Sequence, residues 1–482
     1  MRDLLEEEFR RLRHVQDRLQ GELTLHNYRI VDTPALEPTE IFLRKSGGEL
    51  ASWMYSFVEP GGHRASLRPE FTSPVIRMFV DQAGGSPLPV RWQYAGPVYR
   101  HAAVHPSAKP GETDEEGCAG GRQFTQVGAE LIGAAGIAAD AEVMALTCRC
   151  LAAVGLERLR LSVGCVGTVQ GLLTQFQLSE RAALFLLRSV GDVSRGDKGL
   201  ESVREQAARL GLLRAQETAD EREWVASYLA AQNADGAPQP GTMPSMESPI
   251  GVRTPEEIAA RLRRKREESD NPDRLERAMA FTVEIARLRG APAQTLDAAR
   301  DVIGRHGLDP APLRAMEQVT EALALHDLEG VEITLDMGLV RDIAYYTGLV
   351  FEVTDGAAAS RGPLFLAGGG RYDGLVKALG ADRDAPALGF ACTVESVLGA
   401  LMAREPSPPP LPQPTRVLVA HRSAGAYRHA LRVAAGLRAD GEAAEVALLD
   451  ADAEDGRSYA RSRGMQAVVI VEDNGRSERH GV

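Results

Sequence analysis

The chain has few cysteines, and they are poorly placed for pairing or for binding a metal. Five cysteines in 482 residues are an odd and scattered set, which argues against a disulfide framework. Two of them lie two residues apart on a predicted helix and so point in different directions, and no cysteine or histidine stands at zinc-ligand spacing. We therefore expect no metal site and no cofactor. The five are Cys118, Cys148, Cys150, Cys165 and Cys392.

An excess of positive charge is also lacking. The chain carries 67 acidic and 55 basic residues, for a net charge of -12. Proteins whose main task is to hold a phosphate backbone usually show a basic excess, so nucleic acid is not the expected partner. No run of about 18 apolar residues is present, as a membrane span requires, and the start MRDLLEEEFRRLRHVQDRL has no apolar signal-peptide core. We expect a cytoplasmic protein without membrane contact.

The length and the changing pattern of the chain predict several domains. A chain of 482 residues is too long for one core. Strand-like segments at both ends of the first 403 residues indicate one core, interrupted by a segment of helical periodicity, and a Pro-rich linker then precedes a βαβαβ alternation typical of a small α/β domain. The predicted parts are a core of 1–165 and 330–403, a helical insertion of 166–329 with a flexible loop near 233–251, a linker of 404–414 and an α/β domain of 415–482.

The start of the core shows helical and then strand patterns. Residues 4–24 read as an amphipathic helix, since apolar side chains recur every three or four positions. Three strands are predicted after it from alternating apolar residues. They are Trp53–Phe57, Ala65–Arg68 and Val90–Ala95.

The segment 336–352, DMGLVRDIAYYTGLVFE, carries the strongest sign of a ligand site. It reads as two strands flanking a polar turn with Arg341, Tyr345 and Tyr346. A guanidinium is a fork for a carboxylate, and tyrosines offer flat walls with a hydroxyl tip. These groups suit a small zwitterion that carries a ring. The alternative is a strand pair with core tyrosines and a surface arginine, and the segment alone does not decide between the two.

Further motifs stand in a fixed order along the chain: LRPEFTSP, GPVYR, RQFTQVGAE, AGGGRYDGLV and LGFACTVES. Together with RDIAYYTG, they resemble the motifs of histidyl-tRNA synthetases and of their relatives, and the resemblance covers most of the chain. It implies an α+β fold, with a class II aminoacyl-tRNA synthetase-like antiparallel sheet of about six or seven strands. It also implies helices that flank that sheet, a small C-terminal α/β domain after it, and a homodimer.

The resemblance implies a complete histidine-binding site. An α-amino group needs about three acceptors, and the matching residues are Glu70, Thr72 and Gln126. Arg341 matches the arginine near the carboxylate and the reacting centre. The alternative for each residue is a satisfied polar position in the core. The groups that match the imidazole partners are Glu130, Tyr346 and Tyr372, and Tyr345 completes the proposed set.

The nucleotide side of the resemblance is incomplete. Arg100 and Arg122 are retained as its residual part. Ala102 replaces an acidic residue that helps to seat the nucleotide and its metal, and Gly120 replaces an arginine. Ser396 stands where the family has the arginine that lies against the triphosphate, and a serine cannot offset phosphate charge as a guanidinium does.

A site that keeps the groups for its amino acid and loses those for ATP is typical of a sensor. The pattern, with Ala344 where synthetases usually carry an aspartate, resembles the regulatory subunits of ATP phosphoribosyltransferase, which are relatives of the synthetases. That resemblance implies no catalytic residues in this chain. It also implies histidine as ligand and a hetero-oligomer with a short-form catalytic subunit. In that family the catalytic subunit performs the first step of histidine biosynthesis, and histidine inhibits this step.

Two alternatives stay open. One is a histidine–tRNA ligase, active or divergent, that uses ATP to charge tRNA. The other is a stand-alone sensor of histidine or of uncharged tRNA. Residues 415–482 resemble an anticodon-binding domain, but they hold ten basic and ten acidic residues and no lysine. We expect this domain to be degenerate, with an early end before the family's last strand.

Overall fold

In a computed structural model the chain divides into two units, Met1–Pro406 and Ser407–Val482. The predicted loop near 233–251 lies outside the described residues, and the finer division of the first unit into a core and an insertion stays a prediction. The described residues are 3–83, 87–101, 122–194, 199–213, 270–339, 346–356, 364–405, 413–450 and 453–482.

A large sheet forms the centre of the first unit. Among the described residues it has nine strands, in the order β1-β5-β6-β12-β11-β10-β7-β9-β8. Neighbours are antiparallel except in the pairs β1–β5 and β7–β9, which are parallel. The strands are β1 (Arg29–Ile30), β5 (Val90–Tyr99), β6 (Gln123–Ile132), β7 (Leu159–Cys165), β8 (Arg289–Gly290), β9 (Val331–Asp336), β10 (Leu349–Asp355), β11 (Leu364–Arg371) and β12 (Ala387–Thr393).

The predicted number of strands was too low. The two edge strands, β1 and β8, have two residues each, too few for a period-two pattern to be visible in the sequence. Without them seven strands remain, and their helices complete the α+β architecture. The predicted fold class is confirmed.

Helices cover the large sheet, and α1 (Glu6–Leu25) shows why. Its residues Leu12, Val15, Leu19 and Leu23 are all buried, and their spacing of three or four residues places them on one face. That face packs against α4 (Ile137–Ala153) and α12 (Val394–Arg404). The predicted helix of residues 4–24 is confirmed, with small shifts at its ends.

A second, three-stranded sheet lies before the motif LRPEFTSP. It is made of β2 (Leu36–Pro38), β3 (Ser56–Val58) and β4 (Arg64–Leu67), in the order β2-β4-β3. The helices around it are α2 (Thr39–Trp53), α3 (Thr72–Met78), one π-helical turn (Phe79–Ala83) and the short α11 (Leu375–Ala378).

One of the three predicted strands in this region was wrong at its start. Trp53 still belongs to α2, and the strand begins at Ser56. The aromatic residues at alternate positions from Trp53 to Phe57 follow a strand pattern, but α2 ends only at Trp53 and the strand covers only the last part of this stretch. The predicted strands Ala65–Arg68 and Val90–Ala95 are confirmed as β4 and as the first part of β5.

Helices dominate the described part of the segment between β7 and β9. The cap of α8 explains where that helix starts: the Asn271 side-chain oxygen accepts hydrogen bonds from the backbone N–H groups of Asp273 (2.9 Å) and Arg274 (3.2 Å), and proline is the first helical residue. Helix α6 packs on α8. The helices are α5 (Val166–Thr174), α6 (Glu180–Ser194), α7 (Leu200–Arg209), α8 (Pro272–Ala286), α9 (Pro292–Arg305), a 3₁₀ turn (Ala311–Leu313) and α10 (Arg314–Ala324).

The second unit is a small α/β domain with its own core. Its strand order is β14-β13-β15-β16, with the first three strands parallel and β16 antiparallel to β15. The predicted alternation is present, but it omitted β16, because the residues SERHG are polar and mostly exposed. The elements are β13 (Arg416–His421), α13 (Tyr427–Ala439), β14 (Ala443–Val446), α14 (Ala453–Ser462), β15 (Ala467–Val471) and β16 (Ser477–Gly481).

Within the described ranges, no helix is both long enough and apolar enough to cross a bilayer.

Candidate ligand-binding site

A cleft lies over the middle of the large sheet, where β6, β12 and β11 lie side by side in that order. Gln126 and Glu130 are four residues apart on β6, so the alternation of side chains along a strand places both on one face. The cleft is partly open to solvent. Its walls are Glu70, Thr72, Tyr94, Arg100, Gln126, Tyr346, Phe365, Gly368, Tyr372, Gly389, Phe390, Ala391 and Thr393.

Glu130 lies beneath this lining and is fully buried. Its Oε1 accepts hydrogen bonds from the Thr72 hydroxyl (2.8 Å) and the Tyr94 hydroxyl (3.1 Å), and its Oε2 accepts one from the Tyr372 hydroxyl. Burial, together with the nearby Glu70 carboxyl, raises the pKa of Glu130 to about 8, against the effect of these donors. The carboxyl thus gathers three hydroxyl groups of the cleft around one point.

Room for the Glu130 carboxyl comes from the neighbouring strand. Gly389 on β12 is directly paired with Glu130. A Cβ atom at Gly389 would overlap the Glu130 Oε2 atom and would come within 2.5 Å of the Ala129 carbonyl oxygen. Only glycine fits here, because any side chain would take the space that the carboxyl needs.

Glu70 stands at the start of α3. Both of its carboxyl oxygens accept from the backbone N–H of Ser73, each at 3.1 Å. Burial raises the pKa of Glu70, while its hydrogen bonds with Ser73 and the charge of Arg100 oppose that shift. A second acidic group is thereby fixed at the wall of the cleft, opposite the residues of β6.

Gln126 is the wall residue with an unmet hydrogen-bonding need. Only 7% of the residue is exposed, and its side-chain oxygen is buried without a hydrogen-bond partner among the described residues. A buried acceptor without a donor costs about 1–3 kcal/mol, so native structures rarely leave one unmatched. A ligand that brings an N–H or ammonium group into the cleft would satisfy it.

The two described tyrosines of the predicted site, Tyr346 and Tyr372, also line the cleft. Tyr372, at the end of β11, is 1% exposed, and its hydroxyl is bonded to Glu130. The Tyr346 ring lies over Gly370, where a Cβ would come within 2.9 Å of the ring. Arg341 and Tyr345 lie outside the described residues.

On the nucleotide side, Arg100 is held close to the cleft. Its Nε donates to the Pro69 carbonyl at 2.9 Å, and its guanidinium lies 5.2 Å from the centre of the Phe124 ring. Arg122 is exposed, and its carbonyl oxygen accepts from the Arg100 backbone N–H at 3.1 Å. The structure therefore brings Arg100 to the cleft, whereas Arg122 is not part of its lining.

The motif LGFACTVES ends at the start of α12. The Glu395 carboxyl accepts from the Thr125 backbone N–H with both oxygens, at 2.9 Å each, and burial raises its pKa. Ser396 follows as a buried residue. No guanidinium stands at this position. The other substituted positions, Ala102, Gly120 and Ala344, lie outside the described residues.

Sequence reasoning missed Tyr94, which both lines the cleft and donates to Glu130. Its ring is stacked on Phe71, with centroids 4.4 Å apart. A buried aromatic residue on an inner strand reads as core, and nothing local distinguishes it. The available signal was Gly128, which is paired with Tyr94 across β5 and β6 and leaves space for the ring.

Among the described residues, no group of three or more His, Cys, Asp or Glu side chains could hold a metal ion. Four described cysteines are buried and unpaired, and burial raises the pKa of the Cys148 thiol to about 12. Such thiols are protonated at neutral pH and unreactive.

Comparison with known proteins yields two kinds of relative. A family model described as histidyl-tRNA synthetase matches residues 1–237 and 256–397. An ATP phosphoribosyltransferase regulatory subunit from Symbiobacterium thermophilum is 30% identical over 474 residues, covering 97% of this chain and 95% of the relative. A histidine–tRNA ligase from Thermococcus kodakarensis is 27% identical over 473 residues, covering 98% and 89%.

A solved structure is similar over almost its whole length. It is described as an ATP phosphoribosyltransferase regulatory subunit/histidyl-tRNA synthetase from Bacillus halodurans. The TM-score is 0.63 at 22% identity, with coverage of 98% of this chain and 97% of that one. At that identity the likeness concerns the fold.

Proposed function

The chain belongs to the histidyl-tRNA synthetase family, and from that premise we propose that it is a non-catalytic, histidine-binding regulatory subunit of ATP phosphoribosyltransferase. In this role it mediates feedback control of the first step of histidine biosynthesis. The proposed ligand site comprises Glu70, Thr72, Gln126, Glu130, Arg341, Tyr345, Tyr346 and Tyr372.

The observation that carries the proposal is the contrast between the polar cleft and the position where the resemblance expects an arginine. In the cleft, the buried side-chain oxygen of Gln126 lacks a donor that an ammonium could supply. Where the resemblance expects an arginine against a triphosphate, the chain has Ser396, which is buried and is not among the residues that line the cleft. Loss of one such stabilising group costs roughly 3–4 kcal/mol in a transition state, which disfavours adenylate chemistry.

The chemistry of the cleft also fits histidine. Its ammonium would meet Glu70 and Gln126, and charge-assisted bonds of this kind are about twice as strong as neutral ones. Its imidazole carries two ring nitrogens that need partners, and the tyrosine hydroxyls near Glu130 can serve them. A site whose buried polar groups are left unpaired by other rings rejects those rings strongly.

The remaining parts of the proposal concern partners and place. The subunit works in the cytoplasm, as a homodimer within a hetero-oligomer, beside a short-form catalytic subunit that performs the reaction. Feedback requires that histidine bind with different affinity to two arrangements of that complex.

A histidine–tRNA ligase is the second candidate. It is favoured by Arg100 at the cleft and by the presence of a folded second unit, and a ligase relative has nearly the same identity to this chain as the regulatory one. The two functions differ in their need for ATP.

Calorimetry and an exchange assay separate these candidates. We expect the full-length protein to bind histidine, to give no heat with ATP, and to show no histidine-dependent exchange of pyrophosphate into ATP. Clear exchange activity would establish the ligase and remove the regulatory proposal. A chain that binds neither ligand would contradict both.

A further inference from the structure

The strand β9 ends beside the helical insertion, at Asp336. The backbone N–H of Gly338 donates to the Asp336 carboxyl at 2.8 Å, and Ser194 at the end of α6 lies against Gly338. Burial raises the pKa of Asp336, whereas Gly338, Arg289 (paired with Asp336 across β8 and β9) and the Ser194 hydroxyl oppose that shift. A single carboxyl thus links the end of a sheet strand to a helix of the insertion.

Backbone contacts tighten the same place. A Cβ atom at Gly338 would collide with Ser194 and with the carbonyl oxygen of Ala286, the last residue of α8. The Met337 backbone N–H donates to the Leu288 carbonyl at 2.9 Å. We call Ser194, Asp336 and Gly338 the insertion joint, since these residues fix residues 336–339 to the ends of both α6 and α8.

The joint is connected to the cleft through the start of α5. The Leu339 carbonyl oxygen lies close to Gly164, where a Cβ would come within 2.7 Å of it. Two residues further along β7 and α5, the Val166 backbone N–H donates to the Gly348 carbonyl at 2.9 Å. Gly348 is two residues from Tyr346, a wall of the cleft.

The Tyr346 side of this path is equally fixed. The Thr347 backbone N–H donates to the Arg371 carbonyl at 2.9 Å, and Arg371 directly precedes Tyr372, the partner of Glu130. The turn from Gly164 to Val166 therefore touches two chain segments, one leading from the insertion joint and one leading to the cleft. Packed elements of this kind have discrete arrangements rather than a continuous range.

We propose that Ser194 is a positioning residue for the ligand cleft, and that the insertion joint couples histidine binding to the packing of α6 on α8. This inference rests on the proposed function, since it names the route by which histidine binding in the cleft affects helices outside the core. The helices of the insertion are then the elements that change when the cleft fills.

A pair of serine variants tests the coupling in the full-length chain. Ser194→Ala removes the hydroxyl that the joint uses. Ser189→Ala is the matched control, because Ser189 is a buried residue of the same helix whose hydroxyl, among the described residues, bonds only the Phe185 carbonyl of its own helix. We expect histidine affinity by calorimetry to fall about fivefold in Ser194→Ala, the lower end of typical coupling, and to stay within about twofold of wild type in Ser189→Ala.

Hydrogen exchange gives the readout that a merely structural role would not change. In the wild type, saturating histidine should slow amide exchange in α6 and α8, outside the cleft. Ser194→Ala at saturating histidine should lose that response, while Ser189→Ala keeps it. Wild-type affinity together with a wild-type exchange response in Ser194→Ala would overturn the coupling.

Two further outcomes are distinguishable. If Ser194→Ala does not fold, Asp336→Asn replaces it, since it keeps the size of the side chain and removes the charge, and the same two results decide. A wild type that fails to bind histidine would overturn the proposed function itself. A wild type that binds histidine, with variants that behave identically to it, overturns only the insertion joint.

Discussion

Glu130 and Gln126 share a strand face, but their hydrogen-bonding states differ. Glu130 is surrounded by three hydroxyl donors, whereas the Gln126 oxygen has none among the described residues. A ligand can therefore complete Gln126 directly. Glu130 is better placed to orient the hydroxyls of Thr72, Tyr94 and Tyr372, which would then meet the ligand.

The buried Glu130 carboxyl should make stability depend on pH. In the folded chain the Glu130 carboxyl keeps its proton up to about pH 8, whereas the ordinary pKa of a glutamate side chain is 4.5. The folded state binds more protons between these values, so the free energy of unfolding falls as pH rises through this window, by at most about 1.4 kcal/mol per pH unit from this group. Glu130→Gln should flatten the slope in urea unfolding measured at pH 5, 6.5 and 8.

The exposed Glu40 provides the control for that series. Glu40→Gln should leave the slope as it is in the wild type. Identical slopes for the wild type and Glu130→Gln would show that Glu130 does not titrate in this range.

Two glycine substitutions test how tightly the cleft is built. Gly389→Ala should destabilise the protein by about 1–3 kcal/mol, the usual cost of overpacking, because the new methyl group would overlap the Glu130 carboxyl. Gly399→Ala, in the exposed part of α12 with no atom within 4 Å, should stabilise by about 0.5–1 kcal/mol. Chemical denaturation of both variants measures the difference, and an unchanged midpoint for Gly389→Ala would contradict this packing.

At the scale of elements, a buried ion pair joins β11 to α4. The Arg371 Nε atom lies 2.9 Å from the Asp140 carboxyl, with side-chain exposures of only 10% and 5%. Arg371 also donates to the Ala134 carbonyl at 3.1 Å. This anchor fixes the end of β11 immediately before Tyr372, so the position of a cleft residue depends on a helix outside the cleft.

Removal of one partner of that pair should be costly. We expect Asp140→Ala to lower the free energy of unfolding by about 3 kcal/mol, the lower end for breaking a buried pair, because the Arg371 guanidinium loses its more buried carboxylate partner and keeps only Asp373, at 3.2 Å. Glu317→Ala, which breaks the more exposed pair with Arg300, should cost less than about 1 kcal/mol. Equal losses in the two variants, measured by urea unfolding, would refute the special role of the buried pair.

Elements with strong periodicity could be predicted from the sequence, and the others could not. The apolar stripe of α1 and the apolar run of β15 are visible in the sequence because each element buries apolar side chains along most of its length. The edge strands β1 and β8 are held by backbone pairing alone, and β16 is polar, so none of the three leaves a pattern. Trp53–Phe57 shows the opposite error, since aromatic residues alternate there by chance.

The cleft follows a similar division. Glu70, Thr72, Gln126 and Tyr372 stand in motifs whose order could be recognised, and the structure brings them together. The part that could not be predicted is the arrangement around Glu130, because hydrogen bonds between distant segments leave no local signal. The histidine role of these residues stays a prediction.

At the scale of the whole molecule, the described site residues all belong to the first unit. The second unit has its own buried core of strand residues from β13 and β15, as a domain able to fold alone requires. The ligand cleft and the second unit are therefore separable in the sequence.

Truncation tests that separation. A chain of residues 1–406 should bind histidine within about twofold of the full-length affinity, since independent sites are nearly additive. The isolated segment 407–482 should give a cooperative unfolding transition of its own by circular dichroism. Loss of histidine binding in the truncated chain would mean that the second unit contributes to the site.

Strand β6 has a neighbour on each side along the stretch from Gln126 to Glu130. A strand paired in this way opens only when the sheet as a whole comes apart. A molecule seated on it binds the folded state and not the unfolded one, so its affinity adds to global stability by mass action. A ligand that binds in the cleft should therefore raise the denaturation temperature of the protein. A library of amino acids and nucleotides can then be ranked by the increase that each one causes.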